Sequence, residues 1–154
     1  MEKPKFVYVT YIHTTPAKLW EALTDPKFIR QYFCGTHQES DWKPGASWKM
    51  ITADGVVTDA GEVLEVEPQR KLVLKWRNEF RPELREEGYS RMTYELESRG
   101  DTVKLTVIHQ VDKAPSKLLE AVSGGWPLIL ANLKSLLETG ETFEISEWKT
   151  CSAK

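Results

Sequence analysis

The chain has 154 residues, 40% of them hydrophobic and 29% charged, with a formal net charge of −2, proportions of one globular domain rather than of a disordered segment. Without a basic excess or a basic stripe, nucleic-acid binding is not expected. The first residues carry no apolar run of the signal-peptide kind, and the longest apolar stretch, 126–133, is far short of the roughly 20 residues a membrane span needs, so a cytoplasmic protein with no integral membrane segment is expected.

Residues 6–12, rich in Val, Tyr, Thr and Ile, predict a strand. Thr15-Pro16 predicts a helix start, with Thr15 as cap and Pro16 at the first helical position, where a missing N–H is harmless. Leu19, Trp20 and Leu23 follow at helical spacing. Asp25-Pro26 repeats the signal, Phe28, Ile29 and Tyr32 supply an apolar face, and Cys34-Gly35 ends it. Two short helices are therefore expected after the opening strand.

Strand patterns follow. Residues 47–52 precede Ala53-Asp54-Gly55, whose Asp-Gly pair signals a hairpin. A long strand over 56–67 ends at Pro68. In 71–77, Leu72, Leu74 and Trp76 alternate with Lys71, Val73, Lys75 and Arg77. In 89–97, Met92, Tyr94 and Leu96 alternate with Arg91, Thr93 and Glu95. After a turn at Arg99-Gly100-Asp101, the segment 102–110 sets Val103, Leu105, Val107 and His109 against Thr102, Lys104, Thr106 and Ile108. Strict alternation joined by tight turns predicts an antiparallel sheet with one buried and one wet face. The mixed-charge run 77–87 reads as a solvated hairpin loop in which Phe80 and Leu84 are the residues able to cap a pocket mouth.

Ala114-Pro115 opens a short helix through Val122. Ser123 is expected to cap a second helix whose first turn holds Gly124, Gly125, Trp126 and Pro127, with Trp126, Ile129, Leu130, Leu133 and Leu137 as its apolar stripe and Gly140 as its stop. About 15 residues of helix span roughly 22 Å, enough to cross a sheet. The expected fold is α+β: a curved antiparallel sheet of six to seven strands around a long C-terminal helix, with a domain over 1–140 and a tail over 141–154 in which Phe143, Ile145 and Trp148 alternate with polar residues.

The order of these elements resembles the START-like, or SRPBCC, superfamily and within it the branch named after the activator of the heat-shock-protein-90 ATPase. The residues that carry the resemblance are Thr15-Pro16-Ala17-Lys18-Leu19-Trp20-Glu21-Ala22-Leu23-Thr24-Asp25-Pro26, Gly61-Glu62-Val63-Leu64-Glu65-Val66-Glu67-Pro68, Leu72-Val73-Leu74-Lys75-Trp76, Met92-Thr93-Tyr94-Glu95-Leu96, Leu105-Thr106-Val107-Ile108-His109 and Gly125-Trp126. The resemblance implies a helix-grip fold with a cavity between sheet and helix. It implies function much less, because these are scaffold positions.

Strand alternation points Trp48, Met50, Leu74, Trp76, Met92, Tyr94, Leu105, Val107 and His109 inward, toward Trp126 and Leu130 of the helix. Trp, Tyr, Met and His together suit an apolar cavity with a few polar handles, so these eleven residues are the candidate ligand-binding set. The expected function is binding of a small hydrophobic, aromatic or lipid-like molecule. Two alternatives stand beside it: a cyclase, aromatase or hydrolase using His109 and Tyr94 for proton transfer, and a chaperone-accessory or stress-response interaction module. A second copy of the chain is a further candidate partner. His13, beside a helix start, and His37, beside a loop, read as structural or solvated. Asp59 and Glu62, at odd separation on one strand, fall on opposite faces, while Glu65 and Glu67 share the solvated one. Three scattered histidines, with Cys34 and Cys151 outside any Cys-x-x-Cys spacing, give no metal site. Neither a cofactor nor a catalytic residue is assigned, and a disulfide between those two cysteines is not expected in a cytosolic chain.

Overall fold

In the computed structural model, which describes residues 3–33 and 35–144, the chain runs β1 (Lys5–Ile12), α1 (Pro16–Thr24), α2 (Pro26–Tyr32), β2 (His37–Ser40), β3 (Ser47–Ile51), β4 (Val57–Glu67), β5 (Lys71–Asn78), α3 (Pro82–Arg85), β6 (Ser90–Arg99), β7 (Thr102–Gln110) and α4 (Lys117–Thr139). Cys34, Cys151, Ile145 and Trp148 lie outside the described residues. All strand pairs are antiparallel, in the order β1-β7-β6-β5-β4-β3-β2. The hairpins account for most of this order. The pairing of β1 with β7 brings the chain's beginning beside the last strand and leaves β1 and β2 at the two edges.

The helix starts form as their sequences dictate. Thr15 Oγ1 accepts from Lys18 N at 3.2 Å and Asp25 Oδ1 from Lys27 N at 2.8 Å, each with Pro at the first helical position. At the far end Gly140, at φ 84°, closes α4 with its N–H on Leu136 O at 2.8 Å, the left-handed stop that glycine adopts most readily.

The beginning of α4 differs from the expectation. Ser116, not Ser123, is the cap, accepting from Leu119 N at 3.0 Å, and the helix continues for 23 residues through Gly124, Gly125 and Pro127. Ser123 lies inside it and donates to Glu120 O. A carboxylate from elsewhere explains the early start: Glu87 accepts from Lys117 N at 2.8 Å, Leu118 N at 3.3 Å and Ser116 Oγ at 2.6 Å. This satisfies free N–H groups and puts negative charge at the positive end of the helix.

Two further expectations are corrected. The run 77–87 is not a solvated loop: it completes β5, forms α3, buries Leu84 and ends on the helix-capping Glu87. His37 lies in the edge strand β2 rather than in a loop, its Nε2 3.1 Å from Glu39.

The register aligns inward side chains into rows across the sheet. Val63, Leu74, Met92, His109 and Phe6 form one row. After a bulge between Val63 and Glu65 that restores the pleat, Val66, Leu72, Tyr94, Val107 and Tyr8 form the next. α4 lies across these rows and contributes Trp126, Ile129, Leu130, Leu133 and Leu136 to the same core. Its C-terminal half is tied to the end of β1 by Lys134 Nζ on Tyr11 O (2.6 Å) and Glu138 on His13 N (2.8 Å). The outer face is not wholly wet. Val73 and Thr93 are buried there, in a cross-strand row with Glu65, which pairs with Lys71 and Arg91.

Gly61 has a steric reason. A Cβ there would sit 1.7 Å from the carbonyl oxygen of Lys75, so no larger residue fits without moving β5. Its register neighbours are Trp48 and Trp76, and over the bare glycine their rings approach to 4.6 Å between centroids.

Candidate functional site

At the end of the sheet nearest the start of α4, the inward row is Gln38, Met50, Asp59 and Asn78. The helix does not close tightly on this row, leaving a cleft of about 260 Å³. Met50, Asp59, Trp76 and Asn78 wall it from the sheet, and Leu118, Val122, Gly125, Trp126 and Ile129 from α4. Phe33 closes one side, while Arg81 and Leu84 close the other from around α3. Gly125 contributes by having no side chain: a Cβ built there meets nothing within 4 Å. A larger depression of about 820 Å³ lies at the β4–β5 turn, but half of the residues that wall it are charged, among them Glu67, Arg70, Lys71, Glu95 and Lys104. The smaller cleft is the one with an apolar lining, as small-molecule sites usually have.

Behind the cleft stands an aromatic cluster centred on Trp126. Its ring meets Phe33, Trp76 and Tyr94 edge-on at centroid distances of 5.9, 5.9 and 5.8 Å, a favourable arrangement for ring quadrupoles. Each buried indole N–H has a polar acceptor: Trp48 on Gln38 Oε1 (2.9 Å), Trp76 on Asp59 Oδ2 (2.7 Å) and Trp126 on His109 Nδ1 (3.1 Å).

The last of these bonds fixes the state of His109. An indole N–H can only donate, so Nδ1 is the bare nitrogen and Nε2 carries the proton, which it donates to Ser90 Oγ at 2.8 Å. That hydroxyl in turn donates to Trp76 O at 3.0 Å. Burial lowers the His109 pKa to about 4. The lone pair a general base would need is occupied, and His109 serves to hold two tryptophans together. Burial also pushes the Tyr94 phenol up, far from any proton-transfer range.

Asp59 is the ionisable group that faces the cleft from the sheet. It is 8% exposed, and desolvation raises its carboxyl to about 6, against the lowering effect of its bonds from Thr58, Trp76 and Asn78. Asn78 is held in turn: its Oδ1 accepts from Phe80 N (3.0 Å) and Arg81 N (2.7 Å), so its Nδ2 is the end that faces Asp59 at 3.4 Å.

Of the eleven residues expected to bind ligand, Met50, Trp76 and Trp126 line the cleft. Trp48, Leu74, Met92, Tyr94, Leu105, Val107, His109 and Leu130 are at most 2% exposed and belong to the packed core. Leu84 reaches the mouth, whereas Phe80 is 46% exposed and does not line it. Asp59, Asn78 and Arg81 were not in the expected set. The period-two pattern Asp59, Gly61, Val63 carries the signal for the first of them.

The sequence from 13 to 138 matches the family described as activator of Hsp90 ATPase homolog 1-like protein. No curated protein matches it. Among solved structures, the protein MLL2253 from Mesorhizobium loti is similar, with 24% identity and a TM-score of 0.75 over 87% of this chain and 96% of that one. CalU16 from Micromonospora echinospora has 22% identity and a TM-score of 0.69 over 88% and 77%. An Hsp90 activator from Plasmodium falciparum has 26% identity and a TM-score of 0.70 over 86% and 95%. With most of its length matched and its sheet-and-helix architecture found again in these structures, the chain belongs to the activator of Hsp90 ATPase homolog 1-like family.

Proposed function

We propose that the protein binds a compact, mainly apolar molecule in the cleft between β3–β5 and the first half of α4, and that it does so as a binding protein rather than an enzyme. The observation that carries this reading is the cleft itself, about 260 Å³ with tryptophan, methionine and aliphatic walls and a few polar groups at one end. That volume is slightly under the roughly 300–1,000 Å³ of ordinary ligand sites, which favours one or two fused rings over a long-chain lipid. The occupied ring nitrogens of His109 favour binding over proton-transfer chemistry. Titration with ethylbenzene, followed by tryptophan fluorescence, tests the reading. Saturable binding is expected in the native chain, weakened at least about tenfold in Gly125→Leu, whose side chain fills the space. No binding, or equal binding by both proteins, contradicts it.

The 26% identity to a Plasmodium Hsp90 activator favours a second reading, contact with a chaperone. The outer side of β1, where Val7, Val9 and Tyr11 are exposed, is the surface that suits it. Stimulation of an Hsp90 ATPase in a coupled assay supports this reading, and an unchanged rate removes it.

A further inference from the structure

We propose that the ligand of this cleft carries a protonated nitrogen that seats against Asp59, a refinement that rests on the cleft being a ligand site. Asp59 lines the cleft and is nearly buried, yet every group that hydrogen-bonds it is neutral. Trp76 Nε1 at 2.7 Å and Asn78 Nδ2 at 3.4 Å both donate to the same oxygen, Oδ2, and Thr58 supplies a hydroxyl. The other charge that acts on it is Glu79, of the same sign and itself engaged by Arg77 and Arg85. Arg81 stands at the mouth with its guanidinium on Glu83 at 3.0 Å. Toward Asp59 the cleft's other walls are apolar: Phe33 from the end of α2, Met50 from β3, and Leu118, Val122 and Ile129 from α4.

A carboxylate taken out of water among neutral donors is under-compensated, and a cation supplies what is missing. The site therefore selects a ring bearing an ammonium or amidinium group over the same ring bearing a methyl. Because burial holds the free carboxyl at about 6, a cation binds by displacing the Asp59 proton at lower pH. Its affinity rises as pH climbs through 6 and then levels.

Calorimetric titration with benzylamine and with ethylbenzene, which have nearly the same shape, tests this. At pH 7 benzylamine is expected to bind at least about tenfold tighter than ethylbenzene. From pH 7 to pH 5 benzylamine should weaken about tenfold while ethylbenzene stays constant. Asp59→Asn should bring the two probes within about twofold of each other, and the comparison in the native chain stands even if that variant folds poorly. Equal affinity for the two probes in the native chain, or a preference that survives Asp59→Asn, overturns the cation. If ethylbenzene alone binds, the cleft reading stands and only this inference falls; if neither binds, both fall.

Discussion

Three buried indoles take their acceptors from three different strands: Gln38 of β2, Asp59 of β4 and His109 of β7. Two of these acceptors titrate, and in opposite senses. Asp59 is held at about 6 against an ordinary 3.8, so the stability it lends is complete below pH 3.8 and lost as pH rises through 6. His109 is held at about 4 against an ordinary 6.5, so its contribution is complete above pH 6.5 and lost as pH falls through 4. Between about pH 4 and 6 the unfolded chain carries a proton on His109 and the folded chain carries one on Asp59, so their effects on stability cancel. Asp59→Asn removes one side of this balance. Relative to the native chain, the variant should lose about 3 kcal/mol of stability between pH 6.5 and 4, read from urea unfolding at a series of pH values. The difference removes the surface carboxylates, which are common to both proteins. Parallel stability profiles would contradict the assigned burial. The positions of these residues were partly legible in the sequence. Alternation gave His109 and Trp76 their inward direction. Applied to Asp59, Gly61 and Val63 it would also have turned Asp59 inward, but a carboxylate is ordinarily taken for a surface group.

The elements divide by how local their signals are. α1 and α2 are legible because cap and proline adjoin the helices they start. β2 is not: its four residues, His37, Gln38, Glu39 and Ser40, have little strand propensity, and the strand exists because β3 offers it an edge. The start of α4 is hidden for a related reason. Gly124, Gly125 and Pro127 argue locally for a break, and the carboxylate that extends the helix, Glu87, is 30 residues before the Lys117 N–H it binds. Those glycines also lead to a prediction. Gly124 is exposed with no atom near its missing Cβ, so Gly124→Ala should stabilise the protein by about 1 kcal/mol and leave ethylbenzene affinity unchanged. Gly125→Ala should give a similar gain in thermal melting but place a methyl in the cleft and weaken binding. Destabilisation by both would mean that the helix needs glycine there for its backbone rather than for the space.

At the scale of the molecule, the sheet-and-helix architecture follows from one requirement, that an antiparallel sheet with an apolar face find a cover. α4 supplies it along most of its length. The sequence conveys this architecture through alternation and through family resemblance, but it does not convey where packing ends and space begins. Eight of the eleven inward residues interlock as core and three border the cleft. The nine on strands share one pattern, because alternation reports the side of a sheet and not the distance to the helix above it, and the helical stripe that holds Trp126 and Leu130 is equally silent on that distance. Among the described residues no helix is long and apolar enough to cross a membrane.

A small molecule seated in the space beside Trp76 and Trp126 would change the surroundings of both indoles. The most direct measurement follows the indole N–H resonances in a nitrogen–proton correlation spectrum during titration with ethylbenzene. The signals of Trp76 and Trp126 should shift and saturate together, while those of Trp20 and Trp42, which do not border the cleft, stay in place. Unmoved signals from Trp76 and Trp126, or shifts confined to Trp20 and Trp42, would contradict the account.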